Sequence, residues 1–299
     1  MATSTTSALA VPLRAPAPLR DVALTALAPA CFGTVYAATA LLLPPDRPLL
    51  AGAMRALPAG LLILALTRTL PRGKWWPKAI ALALLNVGAF FPLLFLAAYR
   101  LPGGFAAALG ALQPLVVAAL AALLLKTRTP GRILLAFAVA AMGVGLMTIT
   151  AVTAPDPVGV AAMLAATSIM GLGIVLGKKW GSPVPPLTMT GWQLTIGGLV
   201  LWPLTLVAEG LPATISAQNA AGFVYIGLVG TALAYTLWFR GVQRLAPTAV
   251  SQLSTVNPLV ATAVGFVLLG QALTPWQIAG FTIALLALVA GQSMNRSTK

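Results

Sequence analysis

Charged residues are scarce in this sequence, and the side chains from which catalytic and metal centres are built are almost absent. Asp, Glu, Lys and Arg make up 7% of the 299 residues, whereas an ordinary soluble domain has roughly 25%. Four residues are acidic, there is no histidine, and Cys31 is the single cysteine. Paired-carboxylate catalysis, histidine-based proton transfer and Cys/His metal sites therefore lack their components. We predict a protein that is not an enzyme and that has no metal or other cofactor.

Apolar residues dominate instead, and they occur in long runs. The mean hydropathy is +0.96 and 59% of the residues are hydrophobic, a composition that cannot provide a water-facing surface. Because a membrane-spanning helix needs about 20 apolar residues, we predict an integral membrane protein with ten spans joined by short connections. The predicted spans are 21–42, 49–68, 77–98, 103–125, 130–151, 157–178, 186–207, 217–239, 247–269 and 274–293.

The basic residues indicate how these spans are oriented. The chain has 18 Lys and Arg residues and a net charge of +14. Fifteen of them lie at the termini and in one set of loops, while Arg47, Arg55 and Arg100 lie toward the other side. Since basic loops remain in the cytoplasm, both termini are expected to be cytoplasmic. A basic patch with interleaved aromatic residues is missing from the sequence, so nucleic acid is not an expected partner.

The second half of the chain repeats part of the first at a shift of 144 positions. A polar residue followed by Pro-Leu-Val recurs at this shift, together with an aromatic and a basic position. The matched positions are Phe95 with Phe239, Arg100 with Arg244, and the run 113–116 with 257–260. The chain therefore consists of two halves of five spans, and an odd number of spans forces the halves to run in opposite directions. Such inverted repeats are typical of secondary transporters, with the substrate site near the midplane.

The predicted fold class follows from the spans and the repeat. It is an all-α polytopic membrane protein with ten transmembrane helices in two inverted five-helix repeats. We expect residues 1–19 to form a disordered cytoplasmic tail and residues 20–152 the first repeat. Residues 153–294 would form the second repeat, and residues 295–299 a short cytoplasmic tail.

Several short motifs occur in an order and spacing that resemble one family. They are Phe32-Gly33-Thr34, Met54-Arg55-Ala56, Trp192-Gln193, the run 230–235 and the run 268–277. Together they resemble the EamA-type ten-helix exporters of the drug/metabolite transporter superfamily, and most of all those that export aromatic amino acids. The resemblance implies export of amino acids or related metabolites from the cytoplasm. One departure is Gln271, where the family usually has glutamate, which puts in doubt any role for that acid.

Arg55 is the most informative single residue, because charge inside a bilayer is costly. An arginine at the centre of a spanning helix costs at least roughly 2.5–3.5 kcal/mol and marks a functional site by default. Arg55 lies about seven residues into the second span, roughly 10 Å deep at 1.5 Å per residue. A substrate carboxylate is one partner for it. The alternatives are a side chain that reaches the outer headgroups or one that packs at a helix junction.

Other polar and aromatic residues at depth complete the predicted substrate-binding set. An aromatic-lined cavity would suit large apolar side chains and cation–π contact with an amino group. The alternative for each polar residue is a helix–helix hydrogen bond, worth about 0.6 kcal/mol in a membrane. The candidates besides Arg55 are Tyr36, Asn86, Gln113, Trp192, Gln193, Tyr235, Gln252 and Asn257.

Two prolines occupy equivalent positions in the repeats and are predicted hinges. Pro114 and Pro258 each leave a carbonyl one turn earlier, near Gly110 and Ser254, without its helical donor. Such carbonyls are tolerated only against protein or a wet cavity. They would receive a substrate ammonium, which has no acidic partner here, or mark where the helices bend; ordinary tolerance of proline in membrane helices is the alternative.

Small residues predict close packing between the fifth and tenth spans. Gly143 and Gly145 lie in one, and Ala287, Ala290 and Gly291 lie in the other. Helices with such faces approach each other closely. We predict that these two spans pack together and join the halves; a dimer interface is the alternative.

The absence of acidic residues from the middle of the spans argues against a proton-driven relay. We therefore predict an exporter of amino acids, with aromatic and other neutral ones favoured, that works by alternating access as a facilitator or exchanger. Another metabolite or a drug is the alternative substrate, and a channel would need a filter-like loop or a ring of charge. We expect a monomer in a bacterial-type inner membrane, with the lipid bilayer and a small-molecule substrate as its partners.

Overall fold

Ten helices account for the regular structure of the part of the chain that the structure describes. The computed structural model describes residues 19–126, 130–149, 155–245, 250 and 253–294, and it has no strands there. The helices are α1 Leu19–Leu42, α2 Pro48–Thr67, α3 Trp75–Arg100, α4 Gly103–Leu125, α5 Gly131–Ile149, α6 Pro157–Trp180, α7 Pro186–Ala208, α8 Ala217–Arg244, α9 Val256–Leu269 and α10 Pro275–Met294.

Each predicted span overlaps one of these helices, which confirms the all-helical ten-helix fold. Seven of them, α1 to α4 and α6 to α8, are long and apolar enough to cross a membrane. The other three contain shorter apolar helical stretches, Ala138–Met147, Val256–Leu269 and Pro275–Ala287. Part of the predicted ninth span lies outside the described residues.

Proline sets the start of several helices. α2, α6, α7 and α10 all begin on a proline, whose fixed φ suits the first turn and whose missing N–H is not needed there. At the start of α6 the Asp156 carboxylate also accepts hydrogen bonds from the N–H groups of Val158 (2.8 Å) and Gly159 (3.1 Å). The Gly159 N–H and the Arg100 guanidinium, 2.9 Å away, hold the pKa of Asp156 below its ordinary value.

The packing of the helices reflects the internal repeat. α2 lies along α7, and α5 lies along α10, in the two most extensive contacts of the described chain. α1 packs on α8 and α9, whereas α6 packs on α3 and α4. Exchanging the two halves maps the α2–α7 and α5–α10 contacts onto themselves and converts the contacts of α1 into those of α6, as a pseudo-twofold axis requires. The prediction of two inverted five-helix repeats is therefore confirmed.

The predicted contact between the fifth and tenth spans is also confirmed, at one of its two glycines. A Cβ at Gly143 would lie 2.5 Å from the Gly280 carbonyl oxygen and 2.7 Å from the Ala284 nitrogen. A Cβ at Gly145 would have no described atom within 4 Å. Ala287 is buried in the same α5–α10 region. The dimer alternative is not needed to explain Gly143 or Ala287.

Irregular helix turns occur at equivalent places in the two repeats. α3 contains a π-helical segment at Leu84–Ala89 and α8 contains one at Tyr225–Leu233. Within the second segment the Thr231 hydroxyl donates to the carbonyl oxygen of Ile226, five residues earlier, at 2.8 Å. Widened turns of this kind are frequent at functional sites, and both segments lie beside the cavities described below.

The two prolines predicted as hinges lie in the first turn of a helical segment and not in mid-helix. α4 is interrupted at Ala111–Leu112, and the Leu112 N–H donates to the Leu109 carbonyl at 3.1 Å. Pro114 follows directly. α9 begins after a turn at residues 254–255, and Pro258 lies in its first turn. A proline in the first turn of a helix costs no helical hydrogen bond, because its missing N–H would have no partner there. The helix breaks therefore lie directly before the two prolines.

Gln271, the departure from the family pattern, has a structural contact. Its side-chain oxygen accepts a hydrogen bond from the N–H of Gly103, the first residue of α4, at 3.2 Å. A carboxylate would interact favourably with a helix N-terminus, by about 0.3–1 kcal/mol. We expect Gln271→Glu to raise the thermal unfolding temperature of the purified protein in detergent. Gln271→Leu is the matched control and should lower it; an equal effect of both variants would contradict this account.

Candidate functional site

A central cavity of about 260 Å³ lies between the two repeats. Helices from both halves enclose it, which is the position that inverted repeats favour for a substrate site. The cavity brings together five of the nine predicted substrate-binding residues and both predicted hinges. These are Tyr36, Arg55, Gln113, Tyr235, Asn257, Pro114 and Pro258.

Arg55 is buried within the protein and does not extend toward a headgroup. Its side chain is 4% exposed. Its Nε donates to Thr231 Oγ1 at 2.8 Å, and its Nη2 donates to the Gly230 carbonyl at 3.2 Å. The guanidinium carbon also lies 4.6 Å from the ring centre of Phe91. Arg55 thus packs at the junction of α2 and α8 and also contributes a positive charge to the cavity lining. The sequence left packing and a role at the substrate site as alternatives.

Arg55 forms no ion pair with a described acidic residue. All of its hydrogen-bond acceptors are neutral, and Nη1 makes no hydrogen bond to a described residue. Of the described residues that line the central cavity, Arg55 alone is charged. A cation without a counter-ion in a low-dielectric cavity attracts an anion, and a guanidinium is well shaped for a carboxylate.

Aromatic side chains form a second wall of the cavity. The rings of Phe32 and Tyr235 are in edge contact with centres 5.2 Å apart. Tyr36 and Phe90 line the same cavity. Aromatic faces bury large apolar groups well and attract cations at their faces. The sequence identified Tyr36 and Tyr235 for this role, and the structure adds Phe32 and Phe90.

Oxygen acceptors near the two helix breaks complete the cavity. Asn257 Oδ1 is buried and has no hydrogen-bond partner among the described residues. Gly110 also lines the cavity, and Pro114 has no N–H to donate to its carbonyl. Unpaired buried oxygens are costly and bind N–H donors strongly. An ammonium group would therefore find acceptors here although no carboxylate lines the cavity in the described chain.

A second cavity of about 360 Å³ adjoins the first. Met170 and Tyr235 line both cavities, so they separate one from the other. Here Asn86 Nδ2 donates to Gln193 Oε1 at 2.7 Å, and Asn86 Oδ1 is buried without a partner among the described residues. The cavity extends to Ser182 in the α6–α7 connection, on the side that the basic residues predict to be cytoplasmic.

Two predicted residues are not part of either cavity as described. Trp192 is 2% exposed and donates its indole N–H to the Thr69 carbonyl at 2.5 Å, just beyond the end of α2. It packs with Leu82 and Met189 and does not belong to the lining. Gln252 lies outside the described residues. Met170 and Phe239 are among the further lining residues that the sequence reasoning missed; the match of Phe239 with Phe95 was the available signal for the latter.

Reciprocal helix capping joins the start of α2 to the end of α7, at the opposite end of α7 from the second cavity. The Glu209 carboxylate accepts hydrogen bonds from the N–H groups of Leu49 (2.6 Å) and Leu50 (2.9 Å) at the start of α2. Arg47 Nη1 in turn donates to the carbonyls of Glu209 (2.8 Å) and Gly210 (2.7 Å) at the end of α7. The negative charge of Glu209 lies at a helix N-terminus and the positive charge of Arg47 at a helix C-terminus, so each complements the helix dipole. Because α2 and α7 belong to different repeats, these contacts also join the two repeats.

Known proteins with similar sequences include transporters. The model of the EamA-like transporter family matches residues 20–149 and again residues 157–290. The protein PecM of Dickeya dadantii is 42% identical over 270 residues, which are 90% of this chain and 91% of PecM. A WAT1-related chloroplastic protein of Arabidopsis thaliana is 27% identical over 277 residues, covering 86% of this chain and 66% of that protein.

A solved protein structure has the same fold. The crystal structure of one protein superposes with a TM-score of 0.66 at 16% sequence identity. The superposition covers 94% of this chain and 99% of the other. At this identity the likeness concerns the fold alone.

Proposed function

This chain belongs to the EamA-like transporter family, and we propose that it exports amino acids with apolar, above all aromatic, side chains. As a member of that family it is a multi-pass membrane transporter of the bacterial inner-membrane type and acts on a small molecule. We propose that both termini are cytoplasmic, because the basic loops favour that orientation. We propose further that the monomer is the working unit, since one chain contains the whole central cavity.

The single observation that carries this proposal is the composition of the central cavity. Arg55 provides one positive charge without an acidic partner, while Asn257 Oδ1 and the Gly110 carbonyl provide acceptors for an ammonium. The rings of Phe32 and Tyr235 provide an apolar wall. A zwitterion with an apolar side chain complements all three features, and complementary polar groups decide specificity in such cavities.

The scarcity of acidic groups supports a facilitator or exchanger. Of the four acids in the sequence, Asp21 lies in the first turn of α1 and is paired with Arg240 at 2.6 Å. The other three lie in connections between helices. A proton relay needs ionisable groups at depth, and the described lining of both cavities has no carboxylate. We therefore propose that solute moves down its own gradient by alternating access between the two sides.

Efflux from liposomes tests the proposal. The protein is reconstituted in vesicles loaded with labelled phenylalanine, methionine, threonine or lysine, at equal pH and zero membrane potential. We expect saturable efflux of phenylalanine and methionine above that of protein-free vesicles, because both combine a zwitterionic head with an apolar side chain. Vesicles that carry an unrelated membrane protein control for leakage. Efflux of none of the four would reject the amino-acid proposal and favour another metabolite or a drug.

A pH step tests the energetic part of the proposal separately. Vesicles with labelled phenylalanine at the same concentration inside and outside receive a sudden change in external pH. We expect no net movement of solute, since the described lining of the two cavities has no carboxylate through which proton transfer could be coupled to transport. Accumulation against the gradient in response to the pH step alone would show proton coupling and reject the facilitator.

A further inference from the structure

The two repeats place different side chains at one equivalent position beside the cavities. α2 and α7 begin at Pro48 and Pro186, and the same interval relates Arg55 to Gln193. The close contacts between these helices obey this relation. A Cβ at Gly60 would lie 2.5 Å from the Thr195 nitrogen, and one at Gly198 would lie 2.8 Å from the Leu57 Cα; the interval exchanges these two contacts. Arg55 and Gln193 are therefore structural counterparts.

The hydrogen bonds of these counterparts also correspond. Arg55 bonds to Gly230 and Thr231 in the π-helical segment of α8. Gln193 bonds to Asn86 in the π-helical segment of α3. The shift of 144 positions that relates the repeats places Asn86 on Gly230. Each repeat thus joins its second helix to the widened turn of the opposite repeat, once through a cation and once through an amide.

The aromatic neighbours correspond in the same way, but the space between them does not. The shift of 144 places Phe91 and Phe95 on Tyr235 and Phe239. The Arg55 guanidinium carbon lies 4.6 Å and 5.9 Å from the ring centres of Phe91 and Phe95. Beside Tyr235 and Phe239 the counterpart is the shorter, neutral Gln193, and a cavity of about 360 Å³ remains.

From this difference we propose that the second cavity is a binding site for an organic cation, namely the ammonium or guanidinium group of the transported solute. One repeat fills the position with its own guanidinium, whereas the other lines a cavity with aromatic rings and the side chain of Asn86. Asn86 Oδ1 is buried beside Gly173 and has no hydrogen-bond partner among the described residues. Ring faces attract cations, and a buried amide oxygen requires an N–H donor. The described lining has no charged residue; Lys178 and Lys179 are exposed and lie outside it.

This inference rests on the proposed function in one respect, since the cation that it invokes is the ammonium of the transported solute, bound in the second cavity before it reaches Asn257 in the central one. A solute would contact the cation site on its way from the side of the α6–α7 connection to the central cavity, passing Met170 and Tyr235. The site would recognise a positively charged group through aromatic rings and an amide oxygen, and it uses no carboxylate of the protein to do so. Solutes with a carboxylate alone would be recognised only at Arg55.

Two half-molecules of phenylalanine separate the two sites experimentally. Phenethylamine has the ammonium without the carboxylate, and 3-phenylpropionate has the carboxylate without the ammonium. Their dissociation constants are measured by calorimetry on the purified protein. The test variant is Gly173→Ala, because a Cβ at Gly173 would collide with the Asn86 side-chain amide, which has to move away. The control is Gly177→Ala, one turn further along α6, where a Cβ would lie 3.9 Å from Leu82.

We expect Gly173→Ala to weaken phenethylamine binding by about tenfold, the effect of losing one hydrogen bond to a charged group. Gly177→Ala should leave it unchanged, and 3-phenylpropionate should bind all three proteins alike. Phe239→Leu removes the ring and keeps an apolar side chain, so it should also weaken phenethylamine selectively. Both variants retain their unfolding temperature if the loss is one of recognition.

Unchanged phenethylamine binding in Gly173→Ala and in Phe239→Leu would overturn the cation site. An equal loss of both half-molecules would overturn it as well, because that pattern indicates a general distortion of the protein. Failure of the proposed function appears elsewhere, as absent phenylalanine efflux from liposomes. Selective loss of phenethylamine binding without phenylalanine efflux would retain the cation site and reject only the amino-acid substrate.

Discussion

Arg55→Gln is expected to reduce the kcat/KM of phenylalanine efflux by about 100-fold, the loss of a charge-assisted hydrogen bond worth about 1.5–3 kcal/mol. The glutamine amide can still form a hydrogen bond with the Thr231 hydroxyl. The contact between α2 and α8 is therefore retained while the positive charge is lost. Binding of 3-phenylpropionate should fall with it. Binding of phenethylamine should not change, since that molecule has no carboxylate for Arg55.

The stability of the same variant distinguishes a functional arginine from a structural one. Arg55 is buried without an acidic partner, and a buried unpaired charge is destabilising. We therefore expect Arg55→Gln to unfold at the same temperature as the wild type or at a higher one. Arg55→Lys, which keeps the charge and loses the planar fork, should have intermediate activity. Lost stability together with lost transport would reduce Arg55 to a packing residue.

Gly143→Ala is expected to destabilise the protein by about 3 kcal/mol, the upper part of the usual range for overpacked sites. The atoms that a Cβ would meet are the Gly280 carbonyl oxygen at 2.5 Å and the Ala284 nitrogen at 2.7 Å. Both are backbone atoms of α10 and move only with the whole helix. The contact is reciprocal, because a Cβ at Gly280 would lie 2.5 Å from the Gly143 carbonyl oxygen.

Gly145→Ala is the matched control, two residues along the same helix. A Cβ there would have no described atom within 4 Å, and alanine favours helix over glycine by up to about 1 kcal/mol. We expect this variant to be as stable as the wild type or more so. Thermal unfolding and size-exclusion elution in detergent measure both variants. Equal losses in the two would mean that the α5–α10 contact does not depend on close approach at Gly143.

The helical spans could be predicted because each span is a local property of the chain. A run such as 186–207 is apolar whatever surrounds it, and the cost of exposing its backbone in lipid forces a helix. The repeat was visible because residues 144 positions apart, such as Phe95 and Phe239, match in the sequence itself. Arg55 could be identified for the same local reason, since a charge inside a span is costly irrespective of its neighbours.

The grouping of the polar residues depended on contacts between helices far apart in sequence. Asn86 and Gln193 are 107 positions apart and form one hydrogen bond, so neither indicates the other in the sequence. Trp192 matched a motif, yet its side chain lines neither cavity, and its indole N–H donates to the Thr69 carbonyl. Mid-helix hinges were expected at Pro114 and Pro258, but helix breaks before them place both prolines in a first turn.

The sequence by itself determined that the protein lies in a membrane, that it has ten helices in two related halves, and that no acidic residue lies in the middle of a predicted span. These properties depend on composition and on apolar runs of the right length. The tertiary structure alone decided that Arg55 is held between Phe91 and Thr231 while its counterpart Gln193 faces an open cavity. The physical reason is that related sequences pack differently when one long side chain is replaced by a shorter one, because interiors are close-packed and each volume change opens or fills space.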